Sequence, residues 1–123
     1  MEMHFLMSWN QDNMTDAIYL LTPDAQSDLI EIRRYTIAQW GIEQSKKYIS
    51  ELRKTIQLLA ESPTLGAQRP EVGTNVLSFP CASHVIYYFM RDSMLIAFGI
   101  LHKRMVPFSH LARRKNKNSS YWD

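Results

Sequence analysis

Apolar residues recur along this chain with two different periods, and the switches between them divide it into elements. Ala17-Ile18-Tyr19-Leu20-Leu21 is a short apolar run that reads as a strand. Thr22-Pro23-Asp24 follows as a helix start, because Thr22 can cap free backbone N–H groups and Pro23 suits the first helical position. Ala25, Leu29, Ile32, Thr36 and Trp40 then recur at steps of three and four and mark one buried face, and Gly41 supplies a stop in a left-handed conformation. Asp24, Asp28 and Glu31 precede Arg33 and Arg34, an order that suits the helix dipole. A second helix is expected from about Glu43 to Glu61, with Tyr48, Leu52, Ile56 and Leu59 as its apolar stripe and Ile49 beside it. Ser62-Pro63 ends it, and so short a link between the two helices makes them an antiparallel hairpin.

Pro63, Gly66, Pro70 and Gly73 punctuate the next stretch to Asn75, which reads as a loop. Three strands are expected after it: Val76–Phe79, His84–Met90 and Met94–Leu101, the last two joined through Arg91-Asp92-Ser93. Pro107 to Arg113 can form one short helix. The predicted class is α+β, in the order β-α-α-β-β-β(-α), with the helix hairpin packed on a small antiparallel sheet of three or four strands. Val85-Ile86-Tyr87-Tyr88-Phe89 is apolar or aromatic throughout, so both faces of the central strand should be at least partly covered. The hairpin takes one face; the other is expected to stay open as a concave aromatic surface for a partner.

Length and composition place this pattern in one ordinary globular domain: 123 residues, 46% hydrophobic, 21% charged. Residues 1–13 mix Met, Trp, Asn and Gln without a period and read as an extension before a domain spanning residues 14–112; residues 113–123 read as a basic tail. No apolar run approaches the roughly 20 residues of a membrane span, and the N-terminus lacks the features of a secretory signal. A single cysteine, Cys81, leaves no disulfide framework and fits a reducing cytoplasm. Charge is unevenly spread. Residues 102–123 hold six basic side chains against Asp123 alone, a net +5, whereas the remainder carries −3. That asymmetry suggests an arm for an acidic partner.

The order of elements, with the words inside it, resembles the ParE branch of the RelE/ParE toxin superfamily. The words are Leu21-Thr22-Pro23-Asp24-Ala25 with Asp28-Leu29 and Ile32, Tyr35-Thr36 with Trp40-Gly41, and Tyr48 with Leu52. They continue with Glu61-Ser62-Pro63-Thr64-Leu65-Gly66, with Val76 through His84-Val85-Ile86-Tyr87-Tyr88, and with Ile100-Leu101-His102-Lys103-Arg104-Met105. The resemblance covers roughly Ala17 to Leu111. It implies the toxin of a bacterial type II toxin–antitoxin pair, one that binds DNA gyrase and is neutralised by a ParD-like antitoxin lying along an apolar groove. It implies no cofactor, no metal, and a toxin–antitoxin hetero-oligomer without sequence-specific nucleic-acid binding by the toxin alone.

RelE-type relatives of the same fold cut ribosome-bound mRNA, which needs an acid, a base and fixed cations. For that alternative the candidates are His102 and His110 as acid or base, with Arg69, Arg91 and Arg104 as phosphate clamps. Against it, the loop after the second helix has only Arg69 where RelE relies on lysines, and no tyrosine follows the last strand closely. A further alternative is a degenerate toxin that only binds its antitoxin. For the gyrase-binding reading, the expected target contacts are His102, Lys103, Arg104, Arg113 and Arg114, and the expected antitoxin contacts are Tyr87, Phe89 and Arg104. His102 can equally serve the strand end itself. His84 reads as a turn or edge residue, and the four histidines lack the spacing of a metal site.

Overall fold

The computed structural model describes residues 17–117; the expected N-terminal extension and residues 118–123 lie outside them. Strand β1 (Ile18–Leu21) leads into helix α1 (Pro23–Trp40) and helix α2 (Ile42–Glu61). A short 3-10 turn (Pro63–Leu65) precedes β2 (Ala67–Gln68), β3 (Leu77–Cys81), β4 (His84–Arg91), β5 (Met94–His102) and helix α3 (Pro107–Lys117).

Thr22 caps α1 as expected, its Oγ1 accepting from the Ala25 N–H at 3.2 Å. Gly41 alone separates the helices, at φ +92°, where a Cβ would be strained. The Thr36 and Ser45 hydroxyls, buried and 2.7 Å apart, pin the two helices together just beyond it. On α1 the expected face is buried at Ala25, Leu29, Ile32 and Thr36, but Trp40, at the end of the helix, is 52% exposed.

The sheet has five strands in the order β1-β5-β4-β3-β2. It is mixed rather than wholly antiparallel, because β1 runs parallel to β5. The fifth strand is β2, two residues within the stretch read as a loop, paired with Leu77 and Ser78 of β3. Beyond that pairing β3 is the sheet edge, which tolerates Pro80. Two-residue turns join β3 to β4 and β4 to β5, with Ala82 and Asp92 at positive φ.

Two apolar layers flank the sheet. Leu29, Ile32, Leu52, Ile56 and Leu59 of the hairpin pack on Ile86, Tyr88, Leu95, Ala97 and Ile100. On the other face Tyr87, Phe89, Ile96, Phe98 and Leu101 are covered by Val72 and Val76 of the long loop and by Leu111 of α3. This overturns the expected open aromatic surface: Tyr87 and Phe89 are each 3% exposed. The physical reason is that so apolar a face is more stable under a helix than in water. Helix α3 runs to Lys117, past the boundary expected at residue 113, and thereby supplies that cover.

A bulge in β5 sets the facing of the last residues of the strand. Tyr87 pairs with Gly99 and Tyr88 with Ala97, so Phe98 is an extra residue. Strict alternation would put His102 on the face of Ile96 and Phe98; the extra residue turns it to the helix face, opposite His84.

Candidate functional site

His102, Lys103 and Arg104 stand together where β5 ends, and the backbone holds them there. Lys103 N–H donates to the Ser83 carbonyl at 2.9 Å, and Arg104 N–H to His102 Nδ1 at 3.1 Å. The Lys103 and Arg104 side chains are exposed and form no ion pair among the described residues. Just beyond them Met105, Val106 and Phe108 are 42%, 60% and 59% exposed, an apolar tip beside two cations.

His84 faces His102 across β4 and β5, their ring centroids 5.5 Å apart. Ser83 N–H donates to the Tyr48 hydroxyl at 3.0 Å, and that hydroxyl is hydrogen-bonded to His84 Nδ1 at 2.7 Å. Burial, and secondarily the neighbouring His102 ring, lower the His84 pKa to about 4, so the ring is neutral near pH 7. Sequence reasoning placed Tyr48 on an apolar stripe and His84 at a turn. Their partnership had no sequence signal, because it joins residues 36 apart.

The remaining expected site residues are dispersed. Arg69 lies on the opposite face of the sheet from His102, its guanidinium 5.4 Å from the Tyr87 ring centroid. It donates to Glu71 at 2.7 Å and to the Ser78 hydroxyl at 3.1 Å. Arg91 is at the far end of β4 from His84. His110 is exposed on α3, and the Arg113 side chain lies outside the described residues. Arg114 is a structural residue in this fold. Its guanidinium donates to Asp28 Oδ2 at 2.7 Å, to Asp28 Oδ1 at 3.0 Å and to the Phe98 carbonyl at 3.1 Å. Burial works against its charge, but the hydrogen-bonded Asp28 carboxylate, together with Asp24, outweighs burial and holds the guanidinium pKa above its ordinary value. Among the described residues no three His, Cys, Asp or Glu side chains come together as a metal site, and no helix is long and apolar enough to cross a membrane.

A second surface was not singled out from the sequence. On the outer side of the hairpin a groove of about 300 Å³ has Ile37, Ile42 and Ile49 as its apolar part and Arg33, Lys46 and Arg53 as its cations, with no carboxylate in its lining. Its signal was present as a second row on α2: Ile42, Lys46, Ile49 and Arg53 recur at steps of four, three and four, off the buried stripe.

Groove and loop are open and face solvent, the geometry of a small α+β domain suited to binding macromolecules. Comparison with known proteins agrees. Residues 19–107 match the sequence model described as "ParE toxin of type II toxin-antitoxin system, parDE". The chain is 32% identical over 88 residues to Toxin ParE1 of Mycobacterium tuberculosis (strain ATCC 25618 / H37Rv), covering 71% of this chain and 90% of that protein. It is also 32% identical to Toxin ParE1 of Caulobacter vibrioides over 93 residues, 76% of this chain and 96% of the relative. Toxin ParE of Escherichia coli is again 32% identical, over 97 residues, 78% and 94% of the two chains. A solved structure titled "Chromosomal ParDE TA system from P. aeruginosa" shares the fold with a TM-score of 0.61 at 17% identity, over 68% of this chain and 92% of that one. The chain belongs to the ParE toxin family. The family match ends at Pro107, the first residue of α3.

Proposed function

We propose that this ParE-type toxin inhibits DNA gyrase by binding it, without chemistry of its own, and is neutralised by a ParD-like antitoxin in the bacterial cytoplasm. The observation that carries the reading is the family match across β1 to β5, taken with the two exposed surfaces. The loop from His102 to Phe108 suits the target, because it offers cations and apolar side chains that this chain does not itself use. The groove between α1 and α2 suits the antitoxin, since an acidic amphipathic helix would match its apolar and basic parts. With Tyr87 and Phe89 buried, the groove replaces them as the proposed antitoxin contact, and Arg104 remains available to either partner.

The dispersal of the candidate acid–base residues argues against the ribonuclease alternative. Arg69 and His102 lie on opposite faces of the sheet and cannot meet at one phosphate. The deciding experiment incubates the protein with gyrase, supercoiled DNA and ATP, followed by detergent and protease. Linear DNA that requires both proteins is the expected product. Intact DNA at saturating protein would overturn the gyrase reading, and a translation assay would then separate a ribonuclease from a degenerate toxin.

A further inference from the structure

Four rings stand in file at the end of the hairpin-covered face: Trp40, Tyr48, His84 and His102. Successive centroids are 5.9, 5.6 and 5.5 Å apart, each contact edge-to-face. The hydrogen bonds along the file determine where the imidazole protons sit. Tyr48 takes the Ser83 N–H and shares a hydrogen bond with His84 Nδ1, whose direction follows the imidazole tautomer; His102 Nδ1 takes the Arg104 N–H. With Nδ1 accepting, the neutral His102 ring carries its proton on Nε2, and His84 does the same in the tautomer to which the Tyr48 hydroxyl donates. Neither Nε2 has a hydrogen-bond partner among the described residues. The bulge in β5 is what brings His102 to this face, so the pairing of the two rings costs the sheet one ladder position.

No third His, Cys, Asp or Glu side chain joins this pair as a metal-ligand set among the described residues. Two N–H donors beside two cations that form no ion pair among the described residues suit an oxyanion instead. We propose that this corner binds the phosphodiester backbone of a single-stranded nucleic acid, with His84 and His102 donating to phosphate oxygens. Lys103 and Arg104 neutralise the adjacent charge, and the half-exposed Trp40 indole stacks on a base. The flat indole distinguishes this ligand from an acidic peptide, which has carboxylates but no bases to stack. Donors that address phosphates and a ring that addresses any base make the binding tolerant of sequence. The inference rests on the geometry of the ring file and not on the choice of gyrase as target.

The test uses the full chain and fluorescein-labelled oligothymidylate and oligouridylate, read by anisotropy across a salt series. His84→Phe/His102→Phe keeps the rings and removes the donors, and should weaken binding about tenfold. Lys103→Ala and Arg104→Ala should each reduce the salt slope by about one. With Trp9 and Trp122 replaced by phenylalanine, the oligonucleotide should quench Trp40 emission. If the double histidine variant fails to fold, His102→Phe and Trp40→Ala singly make the same test at the more exposed ends of the file. Unchanged affinity in folded variants overturns the proposal. So does equal binding of polyglutamate that Trp40→Ala leaves intact, which would assign the corner to an acidic peptide. Binding of either oligonucleotide supports the proposal, and a preference between them reports on the sugar and the thymine methyl group together.

Discussion

Asp28 and Arg114, 86 residues apart in the chain, form a two-pronged ion pair that caps the bare edge of β5. Strand β1 pairs with β5 only as far as Ala97; beyond it the Ile100 N–H donates to Asp28 at 2.9 Å and the Phe98 carbonyl accepts from Arg114. Side chains from α1 and α3 thus do for the edge what a longer β1 would have done. Arg114→Ala leaves a largely buried carboxylate without its counter-charge and should destabilise the fold by about 2–3 kcal/mol. Asp28→Ala/Arg114→Ala should cost less than the two single changes summed, measured by urea unfolding. A chain ending after Leu111 loses this pair, so reduced toxicity in it could reflect instability; replacing Lys115 and Lys117 tests the basic tail without that confusion.

Helix α3 is seated through Leu111, fully buried against Gly99. A Cβ at position 99 would come within 2.7 Å of Leu111 Cδ2. Leu111→Ala should cost about 3 kcal/mol and Gly99→Val should displace α3. Hydrogen exchange should then rise over residues 107–117 while α1 and α2 stay protected; unchanged exchange in α3 would refute the seating role.

Tyr48→Phe removes both the acceptor for Ser83 N–H and the hydrogen-bond partner of His84 Nδ1. A loss of about 1–2 kcal/mol is expected. Because the phenylalanine ring still buries His84, its pKa should remain below the ordinary value, as NMR titration would show.

His84 also sets a pH dependence. Its pKa is about 4 in the folded protein against an ordinary value of 6.5, so between those values the unfolded chain binds the extra proton. Stability should be at its plateau above about pH 6.5 and fall as the pH drops towards 4. The contribution is about 1–2 kcal/mol, after allowing for the solvent that reaches the half-buried ring. His84→Gln should flatten the unfolding free energy across that window, and an unaltered slope would remove His84 as its source.

In the groove, Ile42→Asp and Lys46→Glu change exposed positions. Each should leave the unfolding free energy within about 0.5 kcal/mol yet weaken binding of a ParD-like antitoxin at least about tenfold by calorimetry. Full affinity in both variants would move the antitoxin to another surface.

Local chemistry made much of this protein legible in its sequence. Thr22-Pro23, the stripe from Ala25 to Thr36 and the glycine at position 41 dictate the hairpin, since caps and helical period act within a few residues. The aromatic run of β4 required cover on both faces, but not from what, so α3 over Tyr87 and Phe89 was missed. Arg114 looked like one more tail cation because nothing near it in sequence discloses Asp28.

What the chain determined by itself was therefore its two long helices and four of its five strands, the family resemblance and the basic end of β5. Only the tertiary structure decided the sheet's parallel edge strand, the mate of each charged group and the side on which His102 stands. The reason is physical: strand side chains alternate with a period of two, so the single extra residue at Phe98 reverses everything after it. That bulge is specified by packing and pairing with residues remote in sequence, which no local pattern records.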